Sequence, residues 1–99
     1  MRNLVIIDRA KLNIRQTFEF VEGKFGLEAR IKLALKIAKV LRIAREYPEI
    51  FPISDYNKKI RKCVVVKQCA IYYHFNIENV VILSLFDTRQ NPTKIKNIK

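Results

Sequence analysis

IRKCVVVKQCAIYYHFNIENVVILSLFDTRQNP, residues 60–92, holds three short apolar runs, 60–66, 69–75 and 80–86, each drawn largely from Val, Ile, Leu, Tyr and Phe. Polar breaks part them at Lys67-Gln68 and at Asn76 to Asn79. β-Branched and aromatic residues suit a pleated, half-buried surface, so runs punctuated in this way predict three consecutive strands of a meander. If Lys67 and Gln68 form a two-residue turn, Val66 faces Cys69, and strict alternation sorts the first two strands into faces. Val64, Val66, Cys69, Ile71, Tyr73 and Phe75 then share the core side. Cys63, Val65, Ala70, Tyr72 and His74 share the other, an open working face. In the third strand the same rule puts Val81, Leu83 and Leu85 inward and Val80, Ile82, Ser84 and Phe86 outward.

The chain before this stretch reads as covering for the sheet. Leu4 to Ile7 is a β-branched run that fits a buried strand, with Asp8 placed as the N-cap of a following helix. Ala10, Ile14, Phe18, Val21 and Phe25 recur at spacings of three and four, one helical stripe, and Gly26 suits a left-handed helix end. Leu27 to about Tyr47 is a longer helix with two apolar stripes. One is Leu27, Ile31, Ala34, Ala38 and Leu41; the other is Leu33, Ile37, Val40, Ala44 and Tyr47. Two stripes predict a helix wedged between the first helix and the sheet. Pro48 and Pro52 end it, and residues 48–59 form a connection whose Ile50, Phe51, Ile53 and Tyr56 are expected at the core edge. The expected architecture is α+β in the order β-α-α-β-β-β, one domain over residues 1–99 with a basic tail at 88–99.

Twenty Lys and Arg against nine Asp and Glu give a formal charge of +11 on 99 residues. That balance favours a polyanionic partner: nucleic acid, ribosome, acidic protein or membrane surface. The apolar runs fall far short of the roughly 20 residues that span a bilayer, and the first eight residues lack a signal-peptide core, which predicts a cytoplasmic protein. Cys63 and Cys69, expected on opposite faces, are read as free thiols. One His and no C-x-x-C pair leave a metal site short of ligands, and two glycines at the helix junction exclude a phosphate-cradling loop, so no cofactor is expected. Ser54 and Ser84 lack a triad, since His74 has no acidic neighbour on its own strand face.

The order of I-R-x-x-V-V from Ile60, A-I-Y-Y-x-F from Ala70 and V-V-I-L-S-L-F-D-T-R-Q-N-P from Val80 resembles the C-terminal half of the RelE/ParE superfamily of type II toxin-antitoxin toxins. The ending Phe86 to Pro92 is similar to a ParE-like branch often labelled plasmid stabilisation proteins. The F-G between the helices and the P-E after the second agree. The resemblance implies a toxin bound by an acidic antitoxin in a heteromeric complex. For the ParE side it implies DNA gyrase as the target, inhibited by binding, with no catalytic residues. For RelE-like ribosome-dependent mRNA interferases it implies a strand arginine, which here is Ala70, a second arginine, matched by Arg89, and a C-terminal Tyr or His, which is absent. An interferase would therefore need relocated groups, His74, Lys62 and Arg89; a non-toxic nucleic-acid-binding relative is the third possibility. Residues expected to contact target or antitoxin are Arg61, Lys62, Tyr72, His74, Ile82, Phe86, Asp87 and Arg89.

Overall fold

The computed structural model describes residues 1–89; the expected basic tail lies, from residue 90 onward, outside the described residues. The elements follow the expected order: β1 (Asn3–Ile6), α1 (Asp8–Phe25), α2 (Leu27–Glu46), β2 (Arg61–Val66), β3 (Cys69–Phe75) and β4 (Asn79–Asp87). They build one four-stranded sheet in the order β1-β4-β3-β2. β1 lies parallel to β4, whereas β3 is antiparallel to both β4 and β2. The helical hairpin covers one face, and Ala10, Val21, Leu33, Ile37 and Ala44 meet Cys63, Ile71, Tyr73, Val80, Ile82 and Leu85 there in one core.

Local details differ from the expectation by a residue or a rotation. Ile7 is the N-cap, extended at φ −72° and ψ 162°, so Asp8 is the first helical residue and its carboxylate faces the positive end of the α1 dipole. Gly26 has φ 97° and ψ 170°, a corner open to glycine alone, so α2 starts immediately after α1 ends. α2 buries Leu33, Ile37 and Ala44 as expected, but Tyr47 is exposed, and of the other stripe Leu27, Ile31 and Ala38 face outward. The wedge is one-sided. In the connection, Phe51 packs edge-on against Tyr73, with centroids 6.3 Å apart at 88°, while Ile50, Ile53 and Tyr56 stay exposed. The segment folds back along β2 through Ser54 N–H to Ile60 O at 2.7 Å and Lys62 N–H to Pro52 O at 2.9 Å, which satisfies polar groups of an edge strand.

The faces of the sheet are set by two irregularities. Lys67-Gln68 does form the two-residue turn, with Val66 opposite Cys69. A register shift between Val64 and Val66 then pairs Cys63 with Ile71 and Val64 with Ala70. Cross-strand partners share a face, so Cys63 turns into the core and Val64 turns out, the reverse of strict alternation, with Val64 55 % exposed. A second shift pairs Tyr72 with Ser84 but Tyr73 with Ile82, leaving Leu83 as the extra residue. Val80, Ile82 and Leu85 consequently face the helices, and Val81 leaves the expected core to pair with His74 on the other side. Leu83 also leaves it, packing with Ile60, Ala70, Tyr72 and Phe86 in a second, smaller cluster on the far face.

Truncating a fully buried isoleucine costs about 2 to 5 kcal/mol, whereas an exposed valine costs less than about 0.5 kcal/mol. Ile82→Ala is therefore expected to fall in the first range and Val64→Ala in the second, in urea melts. The opposite ranking would restore uninterrupted alternation.

Candidate functional site

β3 carries Ala70, Tyr72 and His74 to the face away from the helices, where Lys62 pairs with Tyr72, and Ser84 and Phe86 come from β4. This face is less open than its sequence suggests. Tyr72 is fully buried, and Phe86 and Ala70 nearly so, because Ile60 closes over them. Burial, with Tyr56 and Asp55 adding to it, pushes the Tyr72 phenol above its ordinary pKa, so it is a neutral group in a packed cluster. The hydroxyls of Tyr72 and its cross-strand neighbour Ser84 are buried and have no hydrogen-bond partner among the described residues. Lys62 borders a small pocket of about 60 Å³ shared with Tyr72, Phe86 and Thr88.

The remaining expected contact residues part company. Ile82 is fully buried on the helix side and is withdrawn from any contact surface; the shift at Leu83 rotates it there. Arg61 turns to the connection, donating from Nη1 to the carbonyls of Glu49 at 3.2 Å and Phe51 at 3.0 Å, with its Cζ 5.8 Å from the Phe75 ring centroid. His74 is exposed opposite Val81, near the start of β4. Arg89 lies past the other end of β4, and six residues of strand from Val81 to Asp87 span roughly 20 Å at about 3.3 Å per residue. His74 and Arg89 therefore do not share a site. The grouping of His74, Lys62 and Arg89 that a relocated nuclease centre would need is not assembled.

Asp87 and Arg89 form the shortest ion pair among the described residues. The Asp87 side chain is fully buried and accepts three hydrogen bonds from Arg89: backbone N–H at 2.8 Å, Nε at 3.0 Å and Nη2 at 2.6 Å. The hydrogen bonds to Asp87, outweighing burial, raise the pKa of the guanidinium, so the pair is a fixed charge-assisted fork. The guanidinium then lies over Phe25 at the end of α1, 5.6 Å from its centroid, where the ring quadrupole attracts a cation. Arg89 thereby joins the end of β4 to the helical hairpin. It also walls a groove of about 360 Å³ whose floor includes Val21, Phe25, Leu33 and Val66 and whose rim carries Lys32 and Lys36.

The arrangement offers binding surface more readily than chemistry. Cys63 and Cys69 lie on the same face after the β2 shift, buried and unbridged, and burial pushes their thiols up to about 11 and about 12, far from a reactive thiolate at neutral pH. Among the described residues no three His, Cys, Asp or Glu side chains converge on a metal position, and no helix is long and apolar enough to cross a membrane. Two features escaped sequence reasoning. The stack of Arg89 on Phe25 joins residues 64 apart and leaves no local pattern. The second apolar stripe of α2 was visible in the sequence, but that Leu27, Ile31 and Ala38 within it have no covering element among the described residues was not.

No family model and no curated protein matches the sequence. Among solved structures, the chain is similar to a protein described as the chromosomal ParDE TA system from P. aeruginosa, with a TM-score of 0.74 and 11 % identity over 88 % of this chain and 96 % of that one. At that identity the likeness is one of fold. The shared architecture is a helical hairpin on a mixed four-stranded sheet in β-α-α-β-β-β order.

Removing one member of a buried ion pair strands the other. Arg89→Ala is expected to cost about 1 to 3 kcal/mol, and adding Asp87→Asn to it to recover part of the loss, because no buried charge then remains unpaired. Equal and additive losses in a double-mutant cycle would show the fork to be dispensable.

Proposed function

We propose that this chain is the toxin of a type II toxin-antitoxin system, ParE-like, that inhibits DNA gyrase by binding in the cytoplasm and is neutralised by an acidic antitoxin in a heteromeric complex. The reading takes residues 1–99 as one toxin domain. The observation that carries it is the fold shared, over nearly the whole of both chains, with a chain of a ParDE toxin-antitoxin system. The +11 charge supports an acidic protein partner, since complementary fields speed encounter and suppress self-association. The placement of the candidate groups favours binding over cleavage. Ribonucleolysis needs cations around the scissile phosphate and a proton-transfer partner for the 2′-hydroxyl, gathered at one point. Here Ala70 occupies the strand position, His74 stands at one end of the sheet, and Arg89 is committed to Asp87 at the other. On this reading Arg89, with 29 % of its side chain exposed beside the apolar groove, contacts target or antitoxin as an oriented donor.

Inducing the protein in cells that lack the antitoxin tests the proposal, with plasmid supercoiling and messenger RNA integrity followed in parallel. The expected result is altered supercoiling and DNA damage while messenger RNA on translating ribosomes stays intact. Cleavage of messenger RNA in the ribosomal A site, lost in His74→Ala, would make the protein an interferase instead.

A further inference from the structure

The turn that follows α2 is pinned through four of its carbonyls. Tyr47 O accepts from Ile50 N–H at 3.1 Å, Pro48 O from the Tyr73 hydroxyl at 2.6 Å, and Glu49 O and Phe51 O from Arg61 Nη1 at 3.2 and 3.0 Å. Phe51, edge-on to Tyr73, is its apolar anchor. The turn nevertheless holds Tyr47 and Ile50 out in water, each 62 % exposed, where Asn, Ser or Gly would form a turn with less apolar surface. These two side chains line a groove of about 360 Å³ with Arg2, Glu46, Pro48 and Glu49. The β3–β4 turn reaches the same end of the molecule, since Asn76 O accepts from Arg2 Nε at 2.8 Å, and its neighbour Ile77 is 89 % exposed.

Charge at this end runs against the rest of the chain. Residues 46–57 hold three of the nine acids, Glu46, Glu49 and Asp55, and none of the twenty bases, and Glu78 adds a further acid in the β3–β4 turn. The basic residues nearby face inward: Arg2 and Arg61 are half-buried against the carbonyls named above, and Arg45 Nε donates to Arg2 O at 2.7 Å. Glu46, Glu49 and Glu78 are exposed and enter no ion pair among the described residues, so carboxylates are the charges this end turns to solvent. We propose that the groove docks a basic segment of a partner protein, one in which Lys or Arg side chains flank a large apolar one. The apolar side chain packs against Tyr47, Pro48 and Ile50, while its basic neighbours reach the carboxylates and the face of the Tyr47 ring, whose quadrupole attracts a cation. Because the backbone of the turn is already fixed by its hydrogen bonds, docking orders little of it. An acidic antitoxin has the wrong sign for this groove, so the inference goes beyond the function proposed above and stands independently of it. A second copy of this chain would bring +11 against +11, which opposes self-pairing.

The probe is a short synthetic peptide in which lysines flank leucines, titrated into the isotope-labelled full chain and followed by NMR. A peptide with glutamate in place of every lysine controls for apolar contact, and an oligolysine of equal charge controls for charge attraction. The expected result is shift changes centred on Tyr47, Glu49, Ile50 and Ile77 that neither control produces. Ile50→Ser and, separately, Glu49→Lys should weaken binding about tenfold or more while circular dichroism stays native, since both side chains are already in water. Shifts centred on the outer side of α2 or on the groove beside Arg89 would overturn the proposal. So would equal shifts from either control, an affinity unchanged in both variants, or a wild-type dimer that buries the groove.

Discussion

Everything in this fold depends on how β3 is paired. It is the interior strand through which the β2 edge is joined to β4 and β1, it places Ile71 and Tyr73 against the helices, and it places Tyr72 against Ile60 and Phe86 on the far face. Because side chains alternate with period two, a one-residue shift on either flank inverts a whole neighbouring strand segment. Both flanks contain such a shift. Their joint effect is to give the helix side Cys63, Val80 and Ile82 and to give the far side Val64 and Val81. Tyr73 secures the arrangement from within, its hydroxyl donating to Pro48 O at 2.6 Å and so tying β3 to the exit of α2.

From that pairing follows the distribution of surface. The far face closes over a small aromatic cluster, Asp87 is carried inward at the end of β4 to hold Arg89, and the helical hairpin keeps more exposed large apolar side chains than the strands do. The hairpin itself is held by modest interactions. Arg30 of α2 pairs with Glu22 of α1 at 2.8 Å and lies over Phe18, both at the surface, where such contacts contribute at most about 1 kcal/mol each. Apolar burial beneath the helices is the larger contribution, and it leaves the outer side of α2 uncommitted.

The order and type of every element were legible in the sequence, because each relied on local signals: the stripes of both helices, glycine at position 26, the prolines after α2 and the two-residue turn at Lys67-Gln68. Face assignment was legible only where no bulge intervened. Ile71, Tyr73 and Leu85 were read correctly as core; Val64, Val81 and Leu83 were not, and Ile82 was assigned to the wrong face for the same reason. A bulge in a run such as VVVK or VVILSLF has no compositional mark, since every residue there suits either face. The pairing of Asp87 with Arg89 was readable from their spacing, but the burial of the carboxylate and the stack on Phe25 are tertiary facts.

Interstrand NOEs across β3 and β4 test the account most directly, because the closed far face and the strand contribution to the core beneath the helices both derive from the shift at Leu83. The account predicts contacts linking Tyr72 to Ser84 and Tyr73 to Ile82, with Leu83 unpaired. An unbroken ladder would contradict it: one linking Tyr73 to Leu83 would move Val81 and Leu83 back toward the helices, and one linking Tyr72 to Leu83 would turn Ser84 toward the helices and Leu85 away from them.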